Sequence, residues 1–376
     1  MHLAFISNGC QVFDGNELLG AGVVVVENGI VTDIAQSVPR GATEIRLGDG
    51  YLAPGLIDLQ VNGGGGLMVD GSTDAAALVV ICATHARLGA TGILPTLITD
   101  TPEATDRVIA AAIGAIGTPG FLGLHLEGPH LDPRRKGAHD PRLIRPMQDA
   151  DLDRLLRAAG ALPVLMVTVA PESVSAAQIS AMAAAGVVVS LGHSDCTSDQ
   201  ARRAFVAGAG VVTHLFNAMS QIGNREPGLA GATLVHPVRC GLIADGIHVS
   251  PQVIRIAMAA KRDGIFLVSD SMAVAGTEQT AFTLGGRTIL RQDGRLTLTD
   301  GTLAGADLTL PQALAVLVKD LEVDPVRALG MATRIPAQAI GRPDLGVIRP
   351  GAPADLVHLG ADMGLRSVWQ SGVKRL

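Results

Sequence analysis

Between residues 186 and 219 the chain passes from one apolar run to another through a single amphipathic segment. The runs GVVVSLGHS and GVVTHLF open on glycine, are rich in β-branched residues and show no polar alternation. A strand buried on both faces reads this way. Residues 198–207, between them, have an N-capping start and a helix-forming composition. The unit is strand–helix–strand, and its strands finish in His193 and His214. Parallel α/β architectures place their chemistry at those carboxyl ends.

The same grammar runs from residue 53 to 342. Strands are predicted at 56–61, 92–97, 121–127, 164–169, 187–193, 211–214, 240–245 and 265–270. Helices are predicted at 74–88, 102–116, 149–159, 174–185 and 251–261. Eight such steps suit a (β/α)8 barrel. A doubly wound sheet is the alternative, but no dinucleotide or phosphate-loop glycine spacing supports it. The glycine run 63–66 reads as backbone passing close to something at the barrel mouth. Residues 1–52 and 343–376 read instead as short strands and turns, with Asn28-Gly29 marking a hairpin between 23–27 and 30–34. The expected division is a barrel at 53–342 and a small β-domain built from 1–52 and 343–376.

Composition narrows the function. Aromatic residues make up 2% of the 376, so the core must be built from Ala, Val, Leu and Ile. A net charge of −6 argues against nucleic-acid partners and a polybasic membrane surface. Cys10, Cys82, Cys196 and Cys240 lack metal or redox spacing and read as reduced thiols. No signal peptide or membrane span is expected, which points to the cytoplasm.

Several chemically able residues fall at predicted strand ends: Gln60 and Asn62, His125 and Glu127, His193, His214, Asp245 with His248, and Asp270. A carboxylate and two imidazoles make a three-ligand set for catalytic zinc, with a fourth position for water. Asp270 is then a spare carboxylate for proton transfer. His125 reads as a packed imidazole. Of the loops, 133–139 is basic and offers His139 among small residues. Arg225, in 223–231, has the planar fork suited to phosphate, or else it pairs with Glu226.

The strings PGLIDLQVNGGGG, HLEGPHLDPRRKGAH, LGHSDC, THLFNAMSQIGNREPGLAG, ADGIHV and VSDSMAVAGT together resemble the N-acetylglucosamine-6-phosphate deacetylases of the amidohydrolase superfamily. So do the closing pieces ATRIPAQAIG and GVIRPGAPADLVHL. The resemblance implies a distorted (β/α)8 barrel with a small β-sandwich, a homodimer, and hydrolysis of the acetamide of a phosphosugar. It implies Glu127, His193 and His214 as metal ligands and Asp270 as catalytic aspartate. His139, Asn217, Ala218 through its backbone, Arg225 and His248 are implied substrate contacts, with Arg225 or His248 reaching across the dimer interface. Many superfamily members carry His-x-His on the first strand; here Gln60 and Asn62 stand in its place. That implies one divalent ion per subunit, Zn2+ before Fe2+ or another transition metal. VSDSM replaces a common Thr-Asp-Ala string, and Gly64 stands where some relatives have Cys. Another single-metal amidohydrolase, a deaminase or cyclic-amide hydrolase, remains open, as does a non-catalytic interaction protein on the same fold.

Overall fold

Eight strands with almost no exposed position pair in parallel and in chain order: Leu56–Val61, Ala90–Ile98, Leu124–Glu127, Leu165–Val169, Val188–Leu191, Val211–Val212, Arg239–Leu242 and Ile265–Leu267. The computed structural model describes residues 1–376. Between strands lie helices whose starts are fixed by side chains: Asp74, Thr101, Ser175, Thr197 and Ser250 each accept from the backbone N–H three residues on. The barrel closes without a regular ladder between strands eight and one. A bridge joins Val61 to Ser271, and the Ser269 N–H donates to the Asp58 carboxylate at 3.2 Å. Burial pushes the Asp58 carboxyl up to about 7.

Strands five, six and eight stop at Leu191, Val212 and Leu267, short of the predicted 193, 214 and 270. The cause is local. His193 (φ 47°), His214 (φ 29°) and Asp270 (φ 49°) are left-handed, and that conformation ends a ladder and turns the side chain inward. Such residues cost about 1–3 kcal/mol each and concentrate at functional sites.

Two further sheets are built from the chain ends, the first from N-terminal strands alone and the second from both ends. One orders Ile30–Ala35, Val23–Glu27, His2–Ile6 and Thr43–Arg46; the other runs from Val373–Lys374 through Leu365–Gln370, Leu356–Leu359, Gly50–Pro54 and Cys10–Phe13 to Leu18–Leu19. Asn28 (φ 50°) and Gly29 (φ 83°) make the hairpin turn. Phe5 and Trp369, 4.9 Å apart edge to face, anchor the core between the sheets. A further antiparallel sheet, from Ala281–Leu284 to Leu303–Ala306, was not anticipated. Its turns, Gly285-Gly286 and Asp293-Gly294, are all left-handed, a hairpin signal that was legible in the sequence. The backbone of the glycine run does pass close to other segments: a Cβ at Gly64 would lie 2.8 Å from His85 Nε2.

His85 is buried against the Gly63 carbonyl, 2.9 Å away. Burial pushes its ring down to about 4. The unfolded ring titrates near 6.5, so between those values the unfolded state holds the extra proton. The contribution is therefore whole above about pH 6.5 and is lost as pH falls toward 4. At pH 5 the loss is on the order of 2 kcal/mol. His85→Gln should flatten the drop in urea midpoint between pH 7.5 and 5; an unchanged drop would assign the acid sensitivity elsewhere.

Candidate active site and metal centre

At the carboxyl ends of the barrel strands lies a cavity of about 410 Å³, lined by Glu127, His139, His193, His214, His248 and Asp270 among others. Glu127 comes from strand three, and the left-handed His193 and His214 turn in from the ends of strands five and six. His193 Nε2 and His214 Nε2 lie 3.2 and 3.1 Å from Glu127 Oε1, and 3.1 Å from each other. Tetrahedral ligands at metal distances of 2.0–2.1 Å stand about 3.3 Å apart. His193 Nδ1 donates to the Arg135 carbonyl at 2.8 Å, which leaves the Nε2 lone pair aimed at the other two atoms. An oxygen and a nitrogen that both present lone pairs at this distance need a proton or a cation between them. Burial alone would raise the Glu127 carboxyl and lower the His214 ring; their mutual hydrogen bond and charge reverse both shifts. The donor set and spacing fit one transition-metal ion.

His139 is close by, with Nε2 3.8 Å from Glu127 Oε2. Its Nδ1 accepts from the Thr99 backbone N–H at 3.3 Å and meets Thr99 Oγ1 at 2.8 Å. The neutral ring therefore carries its proton on Nε2, as a donor to the cavity, although His139 also stands within metal-sharing reach of Glu127 and His193. Burial, aided by His193, pushes this ring down to about 3, which keeps it neutral.

Strand one supplies amides where imidazoles would hold a second ion. Gln60 Nε2 donates to Glu127 Oε1 at 3.2 Å, and Asn62 Nδ2 donates to Asp270 Oδ1 at 2.7 Å. Both point N–H groups at carboxylates. Asp270 is pushed up to about 6 by burial and by the Glu127 charge. His248 Nδ1 lies 2.6 Å from Asp245 Oδ2, which leaves its Nε2 free at the cavity. Asn217 and Ala218 line the same cavity, Ala218 in the left-handed region at φ 47°.

Arg225 is not brought there. It sits in the exposed loop 221–227 and does not line the cavity. Nor does it pair with Glu226, which accepts from the Ser198 and Gly228 backbone at 2.7 and 3.0 Å. In the basic loop, Arg134 meets Asp132, Glu172 and Asp195, and Arg135 meets Asp195, while Lys136 is exposed and makes no ion pair. The wall from the unanticipated sheet, including Leu284 and Leu303, was missed from the sequence. Buried His125 lies 2.7 Å from Thr168 Oγ1, behind the cavity.

Known proteins resemble this chain over nearly its whole length. The N-acetylgalactosamine-6-phosphate deacetylase of Shewanella sp. (strain ANA-3) is 36% identical over 98% of this chain and 95% of its own length. The N-acetylglucosamine-6-phosphate deacetylase of Haemophilus influenzae is 34% identical over 92% and 93%. The crystal structure of N-acetylglucosamine-6-phosphate deacetylase from Pasteurella multocida superposes with a TM-score of 0.95 at 31% identity, over 100% of this chain and 99% of the other. A profile described as the amidohydrolase family matches residues 51–373, the whole barrel and its ligand cluster. The converging carboxylate and imidazoles, the barrel that carries them and these likenesses agree: this chain belongs to the amidohydrolase family.

Proposed function

We propose that this protein hydrolyses the acetamide of N-acetylglucosamine 6-phosphate to acetate and glucosamine 6-phosphate, with Glu127, His193 and His214 as metal ligands. The observation that carries the reading is the placement of Asp270 and the Nε2–H of His139 around one cavity with the three-ligand cluster. A divalent ion held by that cluster supplies Lewis acidity, making water a nucleophile near neutral pH and polarising the carbonyl. Asp270, ionised at pH 7 but not far below it, takes the proton as water adds to the acetyl carbon. His139 donates from Nε2 to the carbonyl oxygen as negative charge gathers there. Asp270 then returns the proton to the amine nitrogen, and the C–N bond breaks. His248, steadied by Asp245, contacts the sugar phosphate from the cavity edge.

Zinc is the first choice on ligand type, with iron or another transition metal as the alternative. Elemental analysis after exhaustive dialysis should find about one ion per chain. Two stoichiometric ions would contradict the part given to Gln60 and Asn62.

The phosphate needs a cation, and no lysine or arginine of the same chain lines the cavity. The reading here is a homodimer in which the partner's Arg225 reaches this site. It is supported by the exposed loop 221–227, whose apolar Ile222 is 53% exposed.

The C4 epimer is a second reading, because relatives at 36% identity are N-acetylgalactosamine-6-phosphate deacetylases. Acetate release from both 6-phosphates and from unphosphorylated N-acetylglucosamine, assayed in parallel, tests the proposal. Turnover of the glucosamine epimer by a large margin supports it; turnover confined to the galactosamine epimer would replace it with the second reading.

A further inference from the structure

Asn62 is 2% exposed, yet it lines the catalytic cavity. Its backbone is held at both ends: its N–H donates to the Ser271 carbonyl at 2.8 Å, and its carbonyl accepts from the Val69 N–H at 2.8 Å. The side chain therefore has little freedom. A carboxylate oxygen accepts and does not donate, so the NH2 end of the amide faces Asp270, at 2.7 Å. The opposite end, Oδ1, is buried and has no hydrogen-bond partner within the chain. A buried acceptor without a donor is costly and needs an explanation. The open space this side chain borders is the catalytic cavity.

We infer that Asn62 Oδ1 receives the N–H of the substrate's acetamido group, making Asn62 a catalytic residue that touches substrate with one end and Asp270 with the other. This rests on the deacetylase reading. The acetamide N–H is the donor nearest the bond to be broken, and Asp270 must reach the same nitrogen to protonate it. A single planar amide bridging the two sets the nitrogen within reach of the Asp270 carboxyl and orients its lone pair. It also distinguishes an amide from an ester, whose bridging oxygen has no hydrogen to offer.

The test compares the metal-loaded enzyme with Asn62→Leu, a side chain of similar size without donor or acceptor, on two substrates. One is N-acetylglucosamine 6-phosphate; the other is 2-O-acetylglucose 6-phosphate, the ester at the same position. Loss of the link to Asp270 lowers kcat on both. Loss of the substrate hydrogen bond falls on the amide alone, so kcat/KM for the amide should drop by about tenfold more than for the ester. Equal losses on the two substrates, or no loss on either, would overturn the inference. If the variant loses its metal or its cooperative unfolding, Asn62→Ser, which is too short to span both partners, takes its place in the same comparison. A wild-type enzyme that releases no acetate from the amide would defeat the deacetylase reading itself, and this inference with it. A wild type active on the amide with equal losses in the variant would defeat the inference alone.

Discussion

Asp270→Asn is expected to lower kcat for acetate release by at least about 100-fold, with metal content and thermal unfolding unchanged. Three features make the substitution clean. Asparagine tolerates the left-handed backbone that Asp270 adopts at φ 49°. Its carbonyl can still accept from Asn62 Nδ2, which lies 2.7 Å from the present carboxylate. The wild-type carboxyl is a desolvated group pushed up to about 6, so its removal takes away a buried charge and not a stabilising pair. Only the capacity to take a proton from water and return it to the amine is gone. Rapid acetate release by the purified, metal-loaded variant would show that another base does the work.

The second large effect concerns Arg225. Losing one partner of a desolvated charge pair costs about 2–5 kcal/mol, and each 1.4 kcal/mol is about tenfold. Arg225→Ala should therefore reduce kcat/KM for the 6-phosphate by roughly 30-fold or more, and change the slow reaction of unphosphorylated N-acetylglucosamine much less. The exposed position of Arg225 in its own chain adds a sharper consequence. If the guanidinium serves the partner's cavity, co-refolding Asp270→Asn with Arg225→Ala creates mixed dimers holding one intact site. Half of randomly paired dimers are mixed, so activity should recover to roughly a quarter of wild type. A mixture no more active than the average of its parents would return Arg225 to a structural or solvent role.

The barrel was legible because its strands are apolar on both faces and its helices announce their starts with Asp, Ser or Thr. Strand ends were less so. A left-handed histidine or aspartate leaves no composition signal, so the runs ending in His193, His214 and Asp270 were read two or three residues too long. The chemistry at those ends was still visible, since a side chain that terminates an apolar run has few other uses. The bonds between distant segments were not visible. Asn62 and Asp270 are 208 positions apart, and Gln60 and Glu127 are 67 apart. No local spacing links such pairs. The loop 221–227 shows the converse: its residue types suggested phosphate, but only the fold revealed that Arg225 stands away from its own cavity.

The most direct measurement is a proton NMR time course of the purified metalloenzyme with N-acetylglucosamine 6-phosphate. The account predicts that the acetamide methyl signal is replaced by free acetate while glucosamine 6-phosphate appears in equal amount. It also predicts that the same enzyme leaves unphosphorylated N-acetylglucosamine almost untouched over that time. An acetamide signal that persists, or acetate released equally fast from both sugars, would contradict it.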